Sequence, residues 1–390
     1  MANIEDYIKW RGDLTFDVDP FNEVDNLILA QLAYTDFGGI VPAEKSDPIS
    51  LKDASKMFFE MHTDEEIMNT VMTVKVAPYL MPLMLESERF KRLKLCAYVS
   101  ETDNETQIQF SVVTFLLPDN TYYVAFRGTD RSMIGWKEDF NMSYLYETPA
   151  QKAAVQYINE NFKRSKKPLR VGGHSKGGNL AVFASSFCLE SIQERIITVY
   201  TNDGPGFREE VLSAPGYNRI LPRIVSIVPD QTFISSIQSH KEKHNYVKSS
   251  EKGGINQHDA MTWQVLGNRF EHTVRSGKAE VVNKAMHEWL SGISDEKRER
   301  FVDILFDVLM SDGVDTADDL MSGGLKGFGE KFKRIKELDK EDQKILFDVF
   351  LRFSGSMESK AAEHLVKSAK EKIKTIDIPA ALGILRPSEV

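Results

Sequence analysis

One serine of this 390-residue chain stands in a pattern that nucleophilic serines use. Gly173, Ser175 and Gly177 form a G-x-S-x-G pattern, which follows a short apolar stretch at 169–171 and precedes an apolar run at 180–187. This order predicts a strand, a tight turn and a helix, with the Ser175 hydroxyl projecting above the sheet from a strained turn. A serine hydroxyl is a weak nucleophile by itself, so a base, an orienting acid and an oxyanion site must lie elsewhere in the chain.

The base is sought among the histidines that follow Ser175. In α/β-hydrolase-like sites the nucleophile comes first along the chain, the acid second and the histidine last. His258 follows a candidate strand at 245–249 and a glycine-containing loop, and it precedes an apolar run at 260–265. We therefore expect His258 at the head of a final helix and predict it as the base. Among the other histidines, His287 and His364 lie inside helical stretches. His240 and His244 lie before the candidate strand.

The acid that orients this base should end the strand before the histidine loop. Asp203 and Asp230 each end an apolar strand. Asp230 ends the strand that comes next before the histidine loop, and we predict it as the acid. Asp203 stands in the sequence N-D-G-P-G, which is typical of a plain turn. Asp259 is adjacent to His258 in the chain and would point away from it.

The oxyanion site needs two hydrogen-bond donors. One is the backbone N–H of Lys176, because this residue directly follows the nucleophile. The second usually comes from a loop after an earlier strand, and Thr129 follows the predicted strand at 122–126. We predict Lys176 and Thr129 as the donors. The alternative for Thr129 is an ordinary turn, and the Lys176 side chain is expected to face solvent.

The elements around these residues alternate as in an α/β protein. Helical spacing occupies 22–34 and, as an insertion, about 47–90. Strands, a loop region after Asp130 and helices then follow up to residue 249, which predicts a mostly parallel sheet with its sites at the carboxyl ends of the strands. Beyond residue 276 the spacing is helical. The predicted strands are 93–99, 107–117, 122–126, 169–171, 196–201, 224–228 and 245–249.

These elements predict two regions. We expect an α/β domain at 1–275 and a helical C-terminal region or cap at 276–390. Within that region the helical stretches include 279–290 and 358–376, and the tail 379–390 is expected to be only partly ordered.

The composition argues against several classes of partner. The formal net charge of −9 disfavours nucleic acid and anionic membranes as partners. Cys96 and Cys188 are the only cysteines, so a disulfide framework is not expected and a reducing compartment fits. The charged first residues lack the apolar core of a signal peptide, and no stretch has the uncharged apolar length of a membrane span. We expect a cytoplasmic protein whose chemistry needs no cofactor and no metal.

Together the motifs resemble those of class-3 lipases, a group of α/β-hydrolases. The resemblance rests on F-R-G-T-D at 126–130, the following Trp136 and Asp139, G-G-H-S-K-G-G-N at 172–179, and the later Asp230 and His258. It covers roughly residues 20–265. The opening D-Y-I-K-W-R-G-D-L-T-F at 6–16, with P-F-N-E-V-D at 20–25, is further similar to a bacterial family of uncharacterised proteins related to those lipases.

The resemblance implies a serine hydrolase of carboxylic esters, with a small-molecule ester or lipid as partner and transient contact with a membrane. Asp139 would be structural, and 131–137 would occupy the position of the lid. That stretch is short and only mildly apolar, and the helical tail has no counterpart in the lipases. The resemblance implies Ser175 as the nucleophile and His258 as the base, which Asp230 orients. The implied oxyanion donors are Thr129 and Lys176.

Other activities stay open at this point. A non-catalytic binding or scaffold protein that retains the hydrolase fold would carry the same elements, because fold alone does not establish activity. Within the enzyme class, thioesterase and peptidase activity are further alternatives, since a triad does not determine the leaving group.

Overall fold

The computed structural model describes residues 2–277, 280, 292–322, 331, 333–346 and 349. These residues form an eight-stranded sheet with helices on both faces, and a separate small hairpin. The strands of the sheet are β1 (Ile49–Ser50), β2 (Lys94–Asp103), β3 (Ile108–Leu116), β4 (Tyr122–Phe126), β5 (Leu169–His174), β6 (Ile196–Asn202), β7 (Ile224–Pro229) and β8 (His244–Val247). The hairpin consists of β9 (Val265–Leu266) and β10 (Arg269–Phe270).

The helices are as follows in chain order. They are α1 (Ile4–Arg11), α2 (Glu23–Leu32), α3 (Leu51–Met61), α4 (Asp64–Met68), α5 (Leu80–Leu85), α6 (Met133–Asn141), α7 (Pro149–Phe162), α8 (Lys176–Phe187), α9 (Glu190–Gln193), α10 (Glu209–Leu212), α11 (Pro215–Ile220), α12 (Asp295–Leu309) and α13 (Ala317–Ser322).

The strands of the sheet lie side by side in the order in which they occur along the chain. From β1 to β4 neighbouring strands pair antiparallel, whereas from β4 to β8 they pair parallel. The parallel part brings the carboxyl ends of its strands to one edge of the sheet, where loops can carry a site. The strand predicted at 122–126 is confirmed, since β4 has these bounds.

Alternate residues of the central strands face two separate cores. In β4, Tyr123 and Ala125 lie in the core formed with α1, α2, α3 and α5, and Val124 and Phe126 lie in the core formed with α7, α8 and α11. Both faces of the sheet are therefore covered, which explains why its central strands read as continuous apolar runs. This mostly parallel sheet flanked by helices, with a strand–serine turn–helix unit at its centre, is the α/β-hydrolase fold that the sequence predicts.

A buried ion pair attaches the N-terminal helices to the sheet. Arg89, between α5 and β2, donates to the carboxylate of Asp25 in α2 through Nε at 2.7 Å and through Nη2 at a second oxygen, and both side chains are fully buried. Its Nη1 donates to the carbonyls of Leu14 and Asp19 at 2.9 and 2.8 Å. The Tyr7 hydroxyl donates to Asp25 at 3.1 Å. The pair thus joins α1, α2 and the connection into β2.

The loop expected after Asp130 contains a helix, α6. Its apolar residues Met133, Trp136 and Phe140 pack in a third core with the C-terminal α12. The rings of Phe140 and Phe306 lie 5.6 Å apart between their centroids. The described part of the C-terminal region therefore covers the apolar face of α6.

The segment before α6 also pairs with the C-terminal region as a short β-bridge. The Met133 N–H donates to the carbonyl of Asp315, and the Ala317 N–H donates to the carbonyl of Arg131, each at 2.8 Å. The Arg131 guanidinium forms an ion pair with Asp318. Backbone hydrogen bonds and a side-chain ion pair therefore attach the loop that follows Thr129 to the C-terminal region.

One predicted element is wrong, and several others lie outside the described residues. The helix expected to begin at His258 is wrong, because 254–258 and 260–262 form 3₁₀ turns and β9 follows. The predicted helices at 279–290 and 358–376 lie almost entirely or entirely outside the described residues, as do the tail at 379–390, His287 and His364. The division at 1–275 and 276–390 stays a prediction. No helix among the described residues combines the length and the apolar character that crossing a membrane requires.

Candidate active site

Ser175 occupies a strained turn between β5 and α8. Its φ of 58° and ψ of −132° lie outside the regions that residues with a Cβ favour. Its N–H donates to the carbonyl of Asn202 at 3.0 Å. The turn needs glycine beside it, because a Cβ on Gly177 would lie 2.1 Å from the carbonyl oxygen of Phe126. The strand, turn and helix predicted around Ser175 are confirmed.

His258 has a buried carboxylate on one side of its ring. Its Nδ1 lies 2.6 Å from Oδ2 of Asp203, whose side chain is fully buried, whereas the His258 side chain is 16% exposed. Thr232 donates to the same Asp203 oxygen at 2.8 Å. A carboxylate in this position holds the imidazole in the tautomer with hydrogen on Nδ1 and leaves Nε2 able to accept a proton.

The prediction that Asp230 orients His258 is wrong, since Asp203 makes this bond. Asp203 directly follows β6, which is the neighbour of β5, whereas Asp230 follows β7, one strand further from Ser175. A φ of 49° at Asp203 and the bond from its N–H to the carbonyl of Ile227 hold the turn over the sheet edge. Asp230 is partly exposed and makes no hydrogen bond with His258.

The sequence carried a signal for Asp203 that the prediction did not use. The turn N-D-G-P-G follows the strand next in the chain after the serine helix. In a sheet whose strands lie in chain order, that strand is the neighbour of the serine strand, so its end is the nearest place for the acid. Its turn-like composition and its role as acid are compatible, because the turn aims the carboxylate.

His174 connects the serine turn to His258. Their rings lie 4.5 Å apart between centroids, and Nε2 of His174 lies 2.8 Å from the carbonyl oxygen of His258. Nδ1 of His174 lies 3.2 Å from the hydroxyl oxygen of Tyr34. Burial, together with the nearby His258, lowers the pKa of His174 to about 3. His174 is therefore neutral near pH 7.

The loop after β4 lies against the serine turn. A Cβ on Gly128 would lie 3.1 Å from Cβ of Ser175 and 2.2 Å from the Tyr34 hydroxyl oxygen, so the backbone here approaches as closely as only glycine allows. The next residue, Thr129, donates its hydroxyl to the two carboxylate oxygens of Asp139 at 2.9 and 2.7 Å. Burial raises the pKa of the Asp139 carboxyl to about 6, while the Lys176 ammonium and the Thr129 bond act in the opposite direction.

Lys176 follows Ser175 as the first residue of α8, where a backbone N–H has no partner inside the helix. The expectation that its side chain faces solvent is wrong. The ammonium donates to the Glu138 carboxylate at 2.8 Å, and both side chains are buried. The helix start therefore presents its N–H beside the serine, while the charge of the same residue lies inside the protein.

Oγ of Ser175 and Nε2 of His258 are the two atoms between which a proton would move. Among the described residues, neither Oγ of Ser175 nor Nε2 of His258 makes a hydrogen bond, and both side chains are partly exposed, as is Thr129. Bonds between nucleophile and base often tighten only when substrate is bound. The arrangement can supply a nucleophile, a base, an orienting acid and two N–H donors for an oxyanion.

Within the described part of the chain, no three His, Cys, Asp or Glu side chains converge as metal ligands would. A cleft of about 410 Å³ lies between α6 and α12, with Ile134, Lys137, Phe306 and Met310 among its lining residues. Ser175 does not line this cleft, so it is separate from the serine site.

Comparisons with known proteins give one match to a family and several to solved structures. A model of the Mbeg1-like family matches residues 84–307. None of the curated proteins matches the chain. The M37 lipase structure is 16% identical, with 54% of this chain and 68% of that chain covered and a TM-score of 0.34.

Two fungal lipase structures are similar to the same degree. The lipase from Rhizopus microsporus var. chinensis is 15% identical over 48% of this chain and 69% of that chain, with a TM-score of 0.31. The native propeptide complex of the Rhizomucor miehei lipase is 14% identical over 46% and 70%, with a TM-score of 0.30.

Proposed function

The chain belongs to the Mbeg1-like family, and we propose that it is a serine hydrolase that cleaves carboxylic esters through a covalent acyl-enzyme. The observation that carries this proposal is the 2.6 Å contact between His258 and the buried Asp203, beside the strained turn of Ser175. A buried carboxylate on a partly exposed histidine, next to a serine on such a turn, is the arrangement that activates a serine hydroxyl.

Acylation begins when Oγ of Ser175 attacks the ester carbonyl carbon. Nε2 of His258 takes the hydroxyl proton, and the negative charge of Asp203 stabilises the imidazolium that forms. The N–H groups of Lys176 and Thr129 bind the oxyanion of the tetrahedral intermediate. When the intermediate collapses, the imidazolium gives its proton to the departing alcohol, which leaves an acyl group on Ser175.

Deacylation repeats these steps with water as the nucleophile. His258 takes a proton from the water as it attacks the acyl carbonyl, and the same two N–H groups bind the second oxyanion. Collapse of this intermediate returns the proton to Oγ of Ser175 and releases the carboxylic acid. The alcohol leaves with the original proton of Ser175, and water supplies the proton that Nε2 of His258 returns to Oγ, so the site regains its initial state.

The partners and location remain proposals of the same kind. A small-molecule ester or lipid is the proposed substrate, in an esterase or lipase reaction. We also propose a bacterial origin and a cytoplasmic location, which the sequence resemblance and the composition respectively support.

The test is covalent labelling and turnover in matched variants. A fluorophosphonate probe should label the wild-type protein at Ser175, and the Ser175→Ala variant should neither be labelled nor hydrolyse p-nitrophenyl butyrate. Asp203→Asn should lower kcat by about 10⁴-fold, because the histidine then lacks its orienting charge. The control Asp230→Asn makes the same chemical change one strand away and should retain the wild-type kcat.

Three results would contradict the proposal or one of its roles. A wild-type protein that is folded by circular dichroism but neither labelled nor active would favour a scaffold protein with the hydrolase fold. Turnover retained by Ser175→Ala would place the nucleophile elsewhere. Equal losses in the two aspartate variants would remove the role given to Asp203.

A further inference from the structure

The Lys176 side chain is fixed inside the protein. Its ammonium donates to the backbone oxygen and to Oε1 of Gln109 at 2.8 and 2.6 Å, and to the carboxylate of Glu138 at 2.8 Å. The side chains of Lys176 and Glu138 are 1% and 0% exposed. Each of the three ammonium hydrogens has an acceptor, so the side chain has one position only.

Glu138 lies in α6 and joins that helix to two further elements. Its Oε2 also accepts a bond from the N–H of Gln109 in β3 at 3.1 Å, and its Oε1 accepts from the N–H of Ala150 in the first turn of α7 at 2.8 Å. A carboxylate is favourable at a helix N-terminus, where the unpaired N–H groups lie. Four elements, α6, β3, α7 and α8, therefore meet at this one carboxylate.

These contacts oppose movement of α6. A lid that opens must separate from the body of the protein. Separation of α6 would take Glu138 away from Lys176 and leave an uncompensated buried charge, which is strongly unfavourable. The apolar face of α6 is already covered by α12. A neighbouring ion pair, between Lys137 and Asp303 at 3.0 Å, has a 41% exposed carboxylate and contributes little to holding the helix.

We propose that Lys176 and Glu138 are positioning residues, and that they make α6 a fixed wall of the site instead of a lid that opens at a lipid surface. This inference rests on the proposed function. The ammonium and the oxyanion-binding N–H belong to the same residue, so a change at Glu138 moves the N–H that faces the reacting carbonyl. A site with a fixed wall accepts esters dissolved as single molecules and gains nothing from a lipid interface.

The first test separates positioning from folding. Glu138→Gln and Lys176→Met should each lower kcat for p-nitrophenyl butyrate about 10–100-fold and leave KM unchanged, because a displaced oxyanion donor acts on the transition state. Lys137→Met is the matched control, since it removes a neighbouring ion pair of the same helix and should keep the wild-type kcat. If a single variant fails to fold, the double variant Lys176→Met with Glu138→Gln, which leaves no unpaired buried charge, replaces it.

The second test uses the wild-type protein alone. Its rate should follow a single hyperbola as p-nitrophenyl butyrate is raised through its solubility limit, with no increase at that limit. An increase there would overturn the inference, and so would a wild-type kcat in folded Glu138→Gln and Lys176→Met.

Fluorophosphonate labelling distinguishes this failure from a failure of the proposed function. A labelled, active wild type with either of those results would overturn the inference alone. An unlabelled and inactive wild type would overturn both.

Discussion

Two hydrogen bonds determine which nitrogen of His174 carries the proton. A carbonyl oxygen can only accept, so Nε2 donates to the His258 carbonyl, and Nδ1 must then accept from the Tyr34 hydroxyl. With its pKa lowered to about 3, His174 keeps this form when His258 becomes an imidazolium. It therefore holds the backbone of His258 without competing for the proton that the proposed reaction moves.

This role predicts different results for two substitutions of His174. Glutamine retains an N–H that can donate to the His258 carbonyl, whereas phenylalanine fills similar space without a donor. We expect His174→Phe to lower kcat about 10–100-fold through a displaced base, and His174→Gln to lower it less. The kcat of each purified variant on p-nitrophenyl butyrate gives the comparison, and equal values for the two would contradict a role for this bond.

The Asp139 carboxyl predicts a pH dependence of stability. Its pKa is raised from 3.8 to about 6 in the folded protein, mainly by burial. The folded state therefore holds this proton more tightly than the unfolded chain. The stability that Asp139 contributes in this way is fully present below about pH 4 and is lost as the pH rises through about 6.

Asp139→Asn removes the titration and isolates the effect. The free energy of unfolding of the wild type, relative to that of Asp139→Asn, should fall by up to about 3 kcal/mol between about pH 4 and 6.5, at about 1.4 kcal/mol for each pKa unit. Urea denaturation of both proteins across this range measures the difference. Parallel curves would show that the carboxyl does not titrate as stated.

The sequence predicted the serine turn correctly, but it did not predict which side chains contact His258 and Lys176. The serine pattern depends on local backbone geometry, which five residues encode, and its strained turn is where the pattern predicts it. The choice between Asp203 and Asp230 depends on which strands are neighbours, and the buried position of Lys176 depends on a carboxylate in a distant helix. Neither can be read from local spacing.

Among the elements, α2 is attached to the segment before β2 by the buried ion pair between Asp25 and Arg89. Arg89→Met would leave Asp25 buried without its partner, and we expect a loss of about 3–5 kcal/mol in the free energy of unfolding. Arg11→Met is the control, because the Arg11–Asp19 pair at 3.3 Å has an exposed arginine and should contribute less than about 1 kcal/mol. Urea denaturation at neutral pH measures both, and similar small losses would contradict a structural role for Arg89.

The elements themselves were predictable where their own residues stabilise them. The strand at Tyr122–Phe126 is an apolar run with clear ends and has the predicted bounds. The helix at Leu51–Met61 lies within the stretch of about 47–90 where the spacing predicts helices. Helix α6 is different. Short helices gain most of their stability from tertiary packing, and α6 packs on α12, which lies far along the chain. Its own sequence therefore gave too weak a signal.

For the molecule as a whole, the alternation of strands and helices was sufficient to predict the α/β class. It did not predict that the strands lie in chain order, or that the first part of the sheet is antiparallel. The sequence predicted a helical C-terminal region or cap but not that it packs on α6. The pattern of an amphipathic helix shows that one face is buried, but not which element covers that face.

The bridge between the residues after Thr129 and those around Thr316 has a consequence for the order of events during synthesis. Chains fold from the N-terminus as they leave the ribosome, and contacts between distant residues form late. The serine turn, Asp203 and His258 are all made before the residues around Thr316 that pair with the loop after Thr129. The nascent chain therefore contains every side chain of the proposed triad before the segment that holds this loop has been synthesised.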